Sequence, residues 1–172
     1  YSTITGITKE ELEKYFTEHI AHTASAMNIT SESLLEKIQR WYNGYSWDGK
    51  TRVYNPNSLL YFFTEKQFDN YWFSTGTPTF LIKLIRKNQY PVPSMERISA
   101  GNDVFGSYDI DNLELKSLLF QTGYLTVSEV EIVGEAKNYI LTYPNQEVKE
   151  SMHKHLLADF LKLGVSSIGP LY

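Results

Sequence analysis

Several groups of residues carry side chains able to do chemistry, and the most compact is Tyr45, Trp47, Lys50 and Arg52 around the pair Asp48-Gly49. If Asp48-Gly49 forms a two-residue hairpin loop, Trp47 pairs with Lys50 and Tyr45 with Arg52, so two rings and two cations share one face. Such a face stacks on nucleic-acid bases while pairing with phosphate. Cross-strand cation–π pairs, worth about 0.5–1 kcal/mol each at exposed sites, account for the same residues without a ligand, and this reading weighs more. At Gly76-Thr77-Pro78 a helix start offers free backbone N–H groups to an anion, with Thr77 nearest. Thr77 as a cap and Pro78 in the first turn explain that run without a ligand, and this structural reading weighs more. His19 and His22 fall one helical turn apart beside Glu18, while His153 and His155 fall on opposite sides of a helix. Zinc wants about four converging ligands and neither pair supplies them. Asp103, Asp109, Asp111 and Glu114 lack the spacing of a calcium loop. No metal is expected, and no catalytic triad or carboxylate pair follows from residue order.

These groups hang on a series of well-signed elements. Thr8 and Glu11 have the spacing of a capping box, with Ile7 and Leu12 as a hydrophobic staple, so one opening helix should bury Leu12, Tyr15, Phe16 and Ile20. A second helix, from about 31 to 42, carries Leu34, Leu35, Ile38, Trp41 and Tyr42 at helical spacing and is stopped by left-handed positions at Asn43-Gly44. The hairpin spans about 44–54. Asn55 and Pro56 then suit the cap and first turn of a third helix. After the aromatic cluster Phe68, Tyr71, Trp72 and Phe73, a fourth helix should bury Phe80, Leu81, Ile82, Leu84 and Ile85. The stretch 94–111 reads as loop and boundary. A short helix through Leu113, Leu115, Leu118, Leu119 and Phe120 stops at Gly123, and a hairpin follows over about 124–143. Pro144 ends the return strand, Asn145 caps, and Val148, Met152, Leu156 and Phe160 stripe a final helix. The expectation is a mainly α chain in two parts, 1–95 helical and 96–172 winged-helix-like with its hairpin as the wing.

The runs Trp41-Tyr42-Asn43-Gly44-Tyr45, Tyr54-Asn55-Pro56-Asn57-Ser58-Leu59-Leu60 and Tyr71 to Leu81, with Gln121-Thr122-Gly123-Tyr124-Leu125-Thr126 and Tyr143-Pro144-Asn145-Gln146-Glu147-Val148, occur in one order along nearly the whole chain. In this the chain resembles bacterial AAA-ATPase-like proteins that carry a PD-(D/E)xK nuclease-like domain near the C-terminal end. The matching part is the one that follows the nucleotide-binding core. The resemblance implies a helical lid followed by a winged helix, with Gly44, Asn55 and Pro56 near nucleotide once the core is attached; a plain helix-turn connector explains those three residues too. The departures are equally definite. No G-x-x-x-x-G-K-[ST] is present, so this chain alone should not hydrolyse ATP. Glu135-Ala136-Lys137 lies in an expected turn rather than at the end of an apolar strand, so the nuclease site is not expected here either.

The resemblance therefore implies a non-catalytic piece of a longer protein, a lid and coupling region whose partners are the ATPase core and the nuclease-like domain of the same polypeptide. It would hold no cofactor itself; ATP and Mg²⁺ belong to the intact parent. A nucleic-acid-binding module and a purely structural interaction domain are the alternatives. The formal charge of −4 gives no broad attraction to nucleic acid, and the helix that would read DNA offers Asp111, Asn112, Glu114 and only Lys116. With 172 residues, 15% of them aromatic, the chain has material for one core or two small ones. It has no cysteine, no membrane-length apolar run and no signal peptide at its first residues, which leads to an expected cytoplasmic location and no membrane partner.

Overall fold

The structure is a computed structural model that describes residues 3–72, 79–87, 96–106 and 115–162. Capping at Thr8 works as its spacing dictates. The Glu11 N–H donates to Thr8 Oγ1 at 3.2 Å and the Thr8 N–H donates to Glu11 Oε2 at 2.8 Å, opening α1 (Lys9–Tyr15). The expected single opening helix is two. At Phe16 the backbone leaves helical geometry (φ −112°, ψ 17°) and α2 (Thr17–Ala26) starts in a new direction. The bend turns the Phe16 ring onto Phe63, centroids 5.5 Å apart, while Tyr15, expected inside, is left exposed. α3 (Ser31–Tyr42) buries Leu34, Ile38 and Tyr42. It ends at Asn43 in extended rather than left-handed geometry, and only Gly44 takes a positive φ, of 123°. α4 (Pro56–Glu65) begins where Asn55 caps it: the Asn57 and Ser58 N–H groups donate to Asn55 Oδ1 at 2.9 and 3.3 Å.

These helices close on a first core built from Leu12, Leu34, Ile38, Tyr42, Leu59 and Phe62 with their neighbours. A second core gathers Leu81, Ile82 and Ile85 of α5 (Thr79–Lys87), Leu118 and Leu119 of α6 (Leu115–Gln121), and Val148, Met152 and Leu156 of α7 (Gln146–Leu161). Phe80 and Phe160, which the periodicity sends inward, are exposed, because each stripe is covered on only part of its width. The expected helix start at Gly76-Thr77-Pro78, and Phe73 and Leu113 with it, lie outside the described residues.

The second core rests on a small antiparallel sheet, so the fold among the described residues is mainly α with a small β part. β2 (Thr126–Val133) and β3 (Ala136–Thr142) form the expected hairpin, closed at Gly134-Glu135. Lys137 of the Glu135-Ala136-Lys137 run thus already belongs to β3. Ser128 is an extra residue between the pairs Val127↔Leu141 and Glu129↔Ile140, a bulge that adds twist to the strand. A third strand, β1 (Ile98–Ala100), pairs with β3 through Ile98↔Leu141 and Ala100↔Tyr139, giving the order β1-β3-β2. It lies inside the stretch expected to be loop. Three residues with buried Ile98 and Ala100 flanking exposed Ser99 are too short a run to show alternation against a Gly, Asn and Asp background.

Candidate functional site

The two cores meet where the chain leaves α3. Gly44 is buried there, and a Cβ built on it would stand 2.8 Å from the carbonyl carbon of Pro144 and closer still to its oxygen. The backbones of residues 44 and 144 therefore touch in a way that only glycine at a φ of 123° allows. Asn43 Oδ1 accepts the Gly44 N–H at 2.6 Å, fixing the approach.

Beyond Gly44 the expected two-residue hairpin is replaced by a longer docked loop. Tyr45 pairs with Val53, not Arg52, through hydrogen bonds of 2.9 and 3.2 Å. Asp48 Oδ1 takes the N–H groups of Lys50 and Thr51, both at 2.8 Å, which closes the turn on itself. The loop then lies along β2: the Ser46 N–H donates to Thr126 Oγ1 at 2.7 Å, and the Val127 N–H donates to the Ser46 carbonyl at 3.2 Å. Those contacts to a distant strand set the register, so Trp47 does not face Lys50. Arg52 turns aside to the Ser128 carbonyl, 3.5 Å away.

What this loop does create is a pair of surface pockets that share Tyr45 and Trp47. One, about 170 Å³, is lined by Thr5, Val53, Tyr54, Asn55 and Pro56. The other, about 290 Å³, is lined by Ser46, Phe120, Gln121, Gly123, Leu125 and Thr126. Trp47 keeps 43% of its surface exposed between them, which is unusual for so large an apolar ring. Of the residues singled out in the sequence, Tyr45, Trp47, Asn55 and Pro56 come together in the first pocket. Gly44, Lys50 and Arg52 line neither pocket, and Thr77 lies outside the described residues.

One residue at this junction, part of the run from Tyr143 to Val148, has no role that the sequence suggests. Glu147, in the first turn of α7, is wholly buried. Ser58 Oγ donates to its carboxylate, 3.0 Å from Oε1 and 2.9 Å from Oε2, and the Tyr71 and Trp72 N–H groups donate to Oε1 at 2.8 and 2.9 Å. Burial pushes its carboxyl group up to about 6, partly offset by those donors. Glu147 opens a second buried row on α7, continued by Ser151 and Ala158 beside the stripe Val148, Met152 and Leu156. Small residues at those spacings were the available signal for a close approach on that side. Beside it, burial and the charge of Glu147 raise the Tyr45 hydroxyl, with the Asn55 and Asn145 amides offsetting part of the effect. The Tyr45 hydroxyl and Asn145 Nδ2 are both buried, with the Asn55 and Asn145 amides the polar groups beside that hydroxyl.

The two histidine pairs stand on different helices, α2 and α7. His19 packs between the rings of Phe16 and Phe63 and lines a shallow hollow with His22 and Glu18, while His153 stands edge-on to Tyr143 at 5.7 Å. Among the described residues no group of three or more His, Asp or Glu is arranged to hold a metal ion. No helix among them is long and apolar enough to cross a membrane.

The chain is similar to the "uncharacterized protein in vnfD 5'region" of Azotobacter chroococcum mcd 1, with 35% identity over 161 residues. The match takes in 94% of this chain and 29% of that protein, so the chain spans less than a third of the relative's length. No family model matches the chain, and no solved structure matches it.

Proposed function

We propose that this chain is the lid-like and winged-helix-like region of an AAA-ATPase-like protein, without catalysis of its own. It closes over nucleotide and Mg²⁺ held by a separate ATPase core and passes that state to a nuclease-like domain of the same polypeptide. The observation that carries this reading is where Asn55 and Pro56 stand. They line an open pocket with Tyr45 and Trp47, and the helix they begin reaches the second core one turn later through Ser58 and Glu147. A ligand seated against Asn55 and Pro56 would press on the same α4 turn that holds the two cores together. That is the arrangement a coupling element needs: a binding surface and a packed junction sharing one rigid segment.

The chain's own contribution is to supply the aromatic and amide wall of the pocket, to exclude water from one side of the nucleotide, and to move as a unit with α4 and α7. Its parts agree with a longer parent, since the Azotobacter relative extends well beyond the matched segment. The test is calorimetric titration of ATP and ADP into this chain and into a longer polypeptide carrying the upstream core, with hydrogen exchange followed over residues 41–60. Binding by the longer polypeptide alone, with new protection at Gly44 to Ser58, is expected. Binding that leaves those amides unchanged would reduce the segment to a connector. Tight binding of single-stranded oligonucleotide, lost on Trp47→Ala, would replace the proposal with the nucleic-acid alternative.

A further inference from the structure

We propose that Glu147 is a proton-linked joint between the two cores: the charge on its carboxyl group sets how firmly α4 and the 71–72 segment are held against α7. Three donors reach the carboxylate from two segments far away in sequence, Ser58 of α4 and the backbone of Tyr71 and Trp72. All three are neutral. The titratable groups that face it are the hydroxyls of Tyr42 on α3, of Tyr45 and of Tyr71, and the carboxylate of Asp69, and none is a cation. Lys149, close by on α7, is turned outward to Glu96 at 2.7 Å. A wholly buried charge without a counter-charge among the described residues is a costly way to receive three hydrogen bonds.

The same contacts accept either protonation state. With the proton on Oε2, Oε1 still receives the two amides, and the new O–H donates to Ser58 Oγ. Only the ionised form carries the full cost of burial. The folded-state value of about 6 lies above the ordinary 4.5, so the proton is bound more tightly when the joint is closed. The sign follows. Closure is strengthened most below about 4.5, and that gain is lost as pH rises through about 6. Opening exposes Glu147 to water and releases a proton, so the opening constant rises roughly tenfold per pH unit across this window, about 30-fold in all. The joint stands independently of the lid reading; if that reading holds, the joint is the route by which α4 reports to the second core.

The experiment follows hydrogen exchange of the Tyr71 and Trp72 amides from pH 4 to 8, corrected for intrinsic exchange, in the unaltered chain and in Glu147→Gln. Gln keeps the shape, accepts both amides with its carbonyl and cannot ionise. His153 and His155 are pulled below the ordinary histidine value, mainly by burial, but both variants keep them, so the difference between profiles reports Glu147. In the unaltered chain, protection should fall by about 30-fold between about pH 4.5 and 6 and level off above, and in Glu147→Gln this fall should vanish. Identical profiles in the two proteins would overturn the joint. If Glu147→Gln fails to fold, the carboxyl-carbon NMR signal of Glu147 in the unaltered chain decides. A midpoint near 6 upholds the proposal, and one near the ordinary value ends it.

Discussion

Replacing Gly44 with alanine should weaken this protein well beyond the usual effect of adding one methyl group. Two costs combine. The φ of 123° lies in a region that residues with a Cβ occupy at a cost of about 1–3 kcal/mol. The new methyl would also stand 2.8 Å from the Pro144 carbonyl carbon, where ordinary contact begins near 3.4 Å, and its neighbour is backbone that cannot rotate away. Relieving such overlap by moving packed segments costs about 1–3 kcal/mol more. We expect a loss of about 3 kcal/mol, which for a chain of this size lowers Tm by about 6–12 °C. Thermal and guanidinium unfolding followed by circular dichroism would read it. Gly134→Ala is the matched control, because Gly134 also has a positive φ, of 65°, but nothing lies within 4 Å of its Cβ position. It should cost about 1 kcal/mol from the backbone alone. If Gly44→Ala costs no more than Gly134→Ala, the two backbones do not meet at residue 44 and the junction described here is wrong.

Other substitutions probe neighbouring parts of the same account. Asn55→Ala removes the acceptor for two N–H groups at the start of α4 and should cost about 1 kcal/mol in the same unfolding assay. Glu147→Ala at pH 7 takes the acceptor from one buried and two part-buried donors, at about 1.5 kcal/mol each, against about 2 kcal/mol regained by removing a buried charge. A net loss of about 2 kcal/mol is expected, and Glu147→Gln should be at least as stable as the unaltered chain at that pH. Ile132→Ser, at the 77%-exposed tip of the β2–β3 hairpin, should change unfolding free energy by less than about 0.5 kcal/mol.

How far the sequence discloses this arrangement depends on how local each decision is. The capping box at Thr8 and Glu11, the Asn55 cap with Pro56, and the Asn145 cap of α7 are settled by contacts three residues apart, and each stands where its spacing puts it. The bend at Phe16 is different, because the partner that draws the ring inward, Phe63, lies on another helix. Asp48-Gly49 does turn the chain, yet the pairing of Tyr45 with Val53 is imposed by β2, some eighty residues onward. Strand β1 exists because β3 has an edge to offer, not because Ile98-Ser99-Ala100 announces a strand. Glu147 was the deepest omission. An acidic residue in a first turn ordinarily serves the helix dipole from solvent, and only the arrival of Ser58, Tyr71 and Trp72 makes it the centre of a junction. Among the site residues, sequence brings Asn55, Pro56, Tyr45 and Trp47 into view, but the pocket they form depends on a loop register that it does not contain.

The central claim is that the segment from Gly44 to Ser58 feels nucleotide and passes it to α7. Hydrogen exchange of the longer polypeptide, with and without saturating ATP, measures this most directly at Gly44, Ser58, Tyr71 and Trp72. The account predicts added protection at the first pair on ATP binding, accompanied by a change at Tyr71 and Trp72 across the Glu147 contacts. ATP bound tightly with all four amides unchanged would contradict it.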